Sequence, residues 1–220
     1  LLQFYLILRK RETSMNILKR YTIEQLILYL AGVIIMPLGV VLTINAHLGA
    51  GGYDALNFAL GDILGINTSL AIYATALLVV FITSFIRRGS PRFTTFISSF
   101  FLGLATDFWK VICAGIQGTN FISSILILLS GILLVGFGVA SYMLSGLPTN
   151  PTDDMIAACN ERGISIRRAK ITLDVVCVVL ALILGGEIGI GTIICTLVLG
   201  PIVDMFHHLL NNNILIKISK

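Results

Sequence analysis

Long apolar runs alternate with short polar breaks along nearly the whole chain. Six stretches, roughly residues 24–46, 69–86, 93–114, 122–145, 171–187 and 188–210, approach the about 20 apolar residues a helix needs to cross a bilayer. The fifth and sixth nearly touch, with a tight turn around Gly185-Gly186-Glu187 and Gly189 between them. Two breaks are longer and patterned differently. His47-Leu48-Gly49-Ala50-Gly51-Gly52-Tyr53-Asp54-Ala55-Leu56-Asn57 and Gly146-Leu147-Pro148-Thr149-Asn150-Pro151-Thr152-Asp153-Asp154-Met155 each pair a breaker-rich turn with a Thr or Asp able to cap a helix. About ten amphipathic residues follow each, and a helix of that length is only about 15 Å long. Each such helix either dips into the protein, its N-terminal N–H groups facing the midplane, or lies flat at the interface.

The two halves align at an offset near 99. Gly32 matches Gly131, Gly39 matches Gly138, Asp54 matches Asp153, and Leu102-Gly103 with Asp107 matches Leu199-Gly200 with Asp204. Paired Gly and Asp in order are hard to obtain by accident in apolar sequence. With three spans per repeat, the second repeat enters the membrane inverted, an architecture that places binding sites where the repeats meet. The predicted fold class is therefore an all-α membrane protein of six transmembrane helices in two inverted three-helix repeats, with two short re-entrant or interfacial helices. Its expected segments are a cytoplasmic N-terminal stretch 1–20, repeats 21–118 and 119–212, and a cytoplasmic tail 213–220. Met15 reads as a natural start, with residues 1–14 an upstream extension and no signal peptide.

Composition agrees with a membrane location. Of 220 residues, 56% are hydrophobic and 12% charged, where soluble domains carry about 25% charge. The net charge of +4 does not indicate nucleic acid, because fourteen of the fifteen basic residues fall in alternate loops and the termini. That asymmetry predicts both ends in the cytoplasm of a bacterial inner-membrane protein. Cys113, Cys159, Cys177 and Cys195 lack C-x-x-C spacing and read as packing residues. Gly32 and Gly39, like Gly131 and Gly138, recur seven apart and predict close helix contact.

The candidate substrate-binding residues are Gly51, Gly52, Asp54, Asn57, Asn150, Asp153 and Asp107. An acid within a span normally faces a partner or a water path. Lys110, three residues beyond Asp107, is its expected local partner, as Lys170 is for Asp174, while Asp204 reads as an end residue. No nucleophile set, metal motif or phosphate loop is present, so neither enzymatic activity, a metal nor a cofactor is expected.

The Leu48–Leu56 segment and the Leu-Gly-x-x-x-Asp of spans three and six resemble bacterial YczE/YyaS/YitT-type membrane proteins, over essentially residues 20–210. Members often carry Pro-Trp before the Asp, where this chain has Gly52-Tyr53. The resemblance implies a transporter-like protein. The leading expectation is a secondary transporter or exporter of a small solute. A substrate-binding subunit of a multi-component transporter and a non-transporting membrane accessory protein are the alternatives. Expected partners are the lipid bilayer and a small-molecule solute, not nucleic acid, with homo-oligomerisation left open.

Overall fold

The protein is described by a computed structural model over residues 22–164 and 166–218, with side chains over 22–164 and 168–211. Met15, the residues before it and the whole N-terminal segment 1–20 lie outside that range. Eight helices follow one another, with no strand among the described residues: α1 (Ile23–Asn45), α2 (Gly52–Leu64), α3 (Thr68–Arg87), α4 (Thr94–Ile112), α5 (Phe121–Leu144), α6 (Pro151–Glu161), α7 (Ile166–Ile183) and α8 (Ile190–Ile218). The order long, short, long, long occurs twice. α8 runs on past its apolar span, which ends at Asn211, to Ile218.

Local chemistry sets the ends of the central pair. Thr22 accepts from the Gln25 N–H and Gln25 returns the bond to the Thr22 N–H, which starts α1. Asn120 and Ser123 make the same reciprocal pair at the start of α5. At the other end of α1, Asn45 donates to the carbonyls of Cys113 and Ile116, each at 2.9 Å, and so ties that end to the end of α4.

α1, α3, α4, α5 and α8 are long and apolar enough to cross a membrane. Their outward faces carry large apolar side chains such as Ile27, Phe85, Leu126 and Leu197, as a lipid solvent requires. α7 differs. The sequence reading starts its span at 171, but the helix begins five residues earlier and takes in Arg167, Arg168 and Lys170 as well as Asp174. Its charges exclude it from the apolar set.

α1 and α5 form the closest pair and run antiparallel. A methyl group on Gly32 would lie 2.6 Å from the Gly138 carbonyl oxygen, and one on Gly39 would lie 2.6 Å from that of Gly131. The glycines let the backbones touch. Around this pair, α2 packs on α7 and α3 packs on α6, while α4 flanks α1 and α8 flanks α5. The halves are not equivalent everywhere. Tyr73 of α3 lies against Gly103 of α4 and donates to the Phe100 carbonyl. α7 and α8 stand apart instead, with an apolar groove lined by Val175, Val178, Ile193 and Leu197 between them.

Candidate functional site

The two short helices converge at their N-termini. Gly52, the first residue of α2, lies against mid-α7, where a side chain would meet the Asp174 carbonyl oxygen at 2.8 Å and Val178 at 2.9 Å. Farther along α2, Ala59 touches Gly186, beyond the end of α7. α2 therefore starts deep in the bundle and runs outward. α6 does the same at the other end. Asn150 at its start meets the buried Ser99 in the second turn of α4, and Glu161 at its end meets Arg87 at the end of α3.

Between the two starts lies a cavity of about 30 Å3, lined by Met36, Pro37, Val40, Tyr53, Asp54, Asn57, Phe58, Ile72, Leu102, Thr106 and Asn150. Since one water needs roughly 10–15 Å3 on this measure, the cavity is polar enough and large enough for about two. Pro37 sits inside α1, where it cannot donate to the carbonyl four residues back.

Of the seven candidate residues, Asp54, Asn57 and Asn150 line this cavity. Asn57 is buried and bonded through both amide atoms: its Oδ1 accepts from the Thr75 hydroxyl at 2.6 Å and its Nδ2 donates to the Tyr53 carbonyl at 2.9 Å. Tyr53 Oη and Thr75 Oγ1, 3.0 Å apart, join the same network. Asn150 accepts from Ser99 at 3.3 Å. Gly51 and Gly52 form the start of α2, and Gly52 allows its approach to α7.

The two remaining acids are placed differently. Asp153 accepts a hydrogen bond from the Tyr142 hydroxyl and does not line the cavity. Asp107 accepts from the Ser69 backbone N–H at 3.2 Å, capping the start of α3 from the neighbouring helix. It also lies off the cavity wall. Lys110 turns from Asp107 to the Thr68 hydroxyl at 3.1 Å and stacks 5.0 Å over the Phe58 ring, so the expected local pair does not form. Lys170 and Asp174 do pair, at 3.0 Å.

Neither short helix is capped by a side chain. The residues ahead of them are Gly51 and Asn150, and neither makes a cap bond. Asp54 and Asp153 instead occupy the third helical position, where a negative charge suits the helix dipole. Asp54 differs from every other acid near the centre, because no described residue donates a hydrogen bond to it; Asp153 has Tyr142 and Asp174 has Lys170. Sequence reasoning did not single out Tyr142 or Thr106, since a Tyr and a Thr in apolar helices look like ordinary packing residues. All four cysteines are free, and no three His, Cys, Asp or Glu side chains among the described residues cluster as metal ligands do.

Residues 23–208 match the family described as "Family of unknown function (DUF6198)". The chain belongs to the DUF6198 family. It is 28% identical over 176 residues to a Bacillus subtilis protein named "Uncharacterized membrane protein YczE", covering 79% of this chain and 81% of the relative. A second Bacillus subtilis protein, "Uncharacterized protein YyaS", is 26% identical over 196 residues, covering 86% of this chain and 95% of its own. A Haemophilus influenzae "Uncharacterized protein" is 32% identical over 111 residues, about half of either chain. No solved structure matches significantly. This DUF6198 protein is a multi-pass helical membrane protein, as its apolar helices and the YczE relative agree.

Proposed function

We propose that the protein is a secondary transporter or exporter of a small solute in the bacterial inner membrane. It works by alternating access between two inverted repeats, with α7 completing six spans and both termini in the cytoplasm. The observation that carries this reading is the cavity between the N-termini of α2 and α6, two short helices that occupy equivalent positions in the two halves. Transporters with inverted repeats bind substrate between such broken elements, near the midplane.

The contacts of α1 with α5 support the inversion. Under the 99-residue offset, Gly32 exchanges with Gly131 and Gly39 with Gly138, so the contact Gly32–Gly138 turns into Gly131–Gly39. A contact that maps onto itself in this way is what a two-fold axis would give, and because the helices are antiparallel that axis would lie across them. The packing of α2 on α7 is exchanged in the same way with that of α6 on α3. The gap between α7 and α8, which is filled between α3 and α4, is the asymmetry that one conformer of an alternating pair has.

Thermal unfolding against a library of cationic, anionic and neutral metabolites tests the proposal. A ligand at about 100 times its Kd stabilises by about 2.7 kcal/mol. The expected result is a solute that stabilises the wild type, fails to stabilise Asp54→Asn, and crosses proteoliposome membranes. A blank across the library, together with capture of a stable protein partner, favours the accessory reading instead.

A further inference from the structure

The centre of the bundle holds more acid than it has partners for. Asp54, Asp174 and Lys170 act on one another electrostatically, and Lys170 also acts on Asp153. Lys170 is committed to Asp174 at 3.0 Å, and Asp153 takes the Tyr142 hydroxyl. Asp54 is left over, at the cavity wall and only partly exposed. An unpaired carboxylate away from bulk water is costly unless it is protonated or neutralised.

The other polar atoms on the wall suit a positive charge. Thr106 commits its hydroxyl hydrogen to the Leu102 carbonyl at 2.8 Å, so only its oxygen lone pairs remain. Asn150 Oδ1 takes one bond, from Ser99, and a carbonyl oxygen has capacity for two. The two helix N-termini oppose a cation, each with about half a positive charge. When ionised, the Asp54 and Asp153 carboxylates at the third helical positions offset them. One uncompensated carboxylate and a handful of neutral oxygens fit a monovalent ion better than a divalent one, which takes several carboxylates.

Resting on the transport reading, we infer that the cavity beside Asp54 binds a small monovalent cation, an alkali ion or an ammonium-type group, in exchange for a proton on the Asp54 carboxyl. The exchange balances simply: the cation enters, the carboxyl O–H breaks, and the proton leaves to solvent with no redox change. The titratable groups facing Asp54 are Lys170, Asp174 and Cys177 on α7, Cys195 on α8, and Tyr53 beside it. The wall residues from α1, α3 and α4 carry no charge.

The test uses the full chain in nanodiscs at constant ionic strength, with N-methylglucamine chloride replaced by sodium, potassium, ammonium or methylammonium chloride. The expected result is a saturable rise of at least about 3 °C in Tm with one of the small cations. In weak buffer near pH 5 that cation also releases protons, up to about one per protein, as linkage requires. Which salt acts separates an alkali ion from an ammonium group. Asp54→Asn loses both responses, whereas Asp62→Asn, on the exposed end of α2, keeps them. Thr106→Val lowers cation affinity about tenfold, which supplies a second reading if Asp54→Asn does not fold. Equal behaviour of all five salts, or a full response in Asp54→Asn, overturns the inference. Cation binding without flux in proteoliposomes upholds the site and removes transport. Flux of some other solute with no cation response removes the site alone.

Discussion

Gly39→Leu unfolds the protein or prevents its assembly. At Gly39 a Cβ would meet the Gly131 carbonyl oxygen at 2.6 Å and the Val135 nitrogen at 2.6 Å. Both are backbone atoms, which no rotamer change can move aside. Relief requires the separation of α1 and α5, the closest pair in the bundle, which α4 and α8 flank. Overpacking of a core costs about 1–3 kcal/mol, and a leucine against two helix backbones lies beyond that range, at more than about 3 kcal/mol. Gly39→Ala falls within it. Size-exclusion recovery and Tm in detergent measure both. Gly200→Ala, with nothing within 4 Å, is the neutral control. Normal recovery of Gly39→Leu would mean that the α1–α5 contact is not the frame of the fold.

Arg87→Ala releases α6 from α3. The Arg87 guanidinium makes a fork with Asp154, at 2.8 and 3.1 Å, and a second with Glu161, at 2.8 and 3.1 Å. Arg162 closes the same end by donating to the carbonyls of Ile86 and Arg87, each at 2.9 Å. Arg87 and Asp154 are both largely buried. Breaking a fully buried pair costs about 3–5 kcal/mol, because one charge is stranded. Here Arg92, 3.4 Å from Asp154, partly replaces the lost partner, so about 2 kcal/mol is expected. Arg87→Lys recovers little of it, since an ammonium cannot form two forks.

The pH dependence follows from the other acid. Glu161 is held below the usual glutamate range, first by its hydrogen bond from Arg87. A carboxyl with a lowered folded-state pKa stabilises above its unfolded value, about 4.3, and loses that contribution as pH falls through the folded value. The wild type therefore loses stability in acid more steeply than Glu161→Gln. In the account of two alternating states this network closes the α3–α6 end. The opposite end has, among the described residues, exposed ion pairs between His47 and Glu187 at 3.1 Å and between Lys110 and Asp62 at 3.8 Å.

Much of this architecture was legible because the membrane simplifies the pattern. α1 and α5 start and end within a residue of the apolar runs, where capping pairs sharpen the boundary. α7 was legible only in part: its first turn is charged, and hydropathy cannot distinguish a basic loop from a basic helix end. The paired glycines at 32, 39, 131 and 138 announced the central contact, but not that it pairs Gly32 with Gly138 rather than with its own repeat mate. The site was harder to read. Asp54, Asn57 and Asn150 share one cavity because two breaker-rich turns bring helix starts together. Asp107 has the same chemistry and depth within a span, yet it serves the N-terminus of α3. Nothing in a sequence tells which neighbouring helix start an aspartate faces, and nothing in it pairs Tyr142 with Asp153 eleven residues on.

The central claim is that α2 and α6 enter the protein from opposite faces of the membrane. Ile66, just after α2, and Ile164, just after α6, are both exposed. Single cysteines at these positions, in a background with the four native cysteines replaced, can be labelled in intact cells with a membrane-impermeant maleimide. The account predicts labelling of Ile66→Cys from outside and of Ile164→Cys only after permeabilisation. Labelling of both from the same side would contradict the inverted arrangement, and with it the site between the two helices.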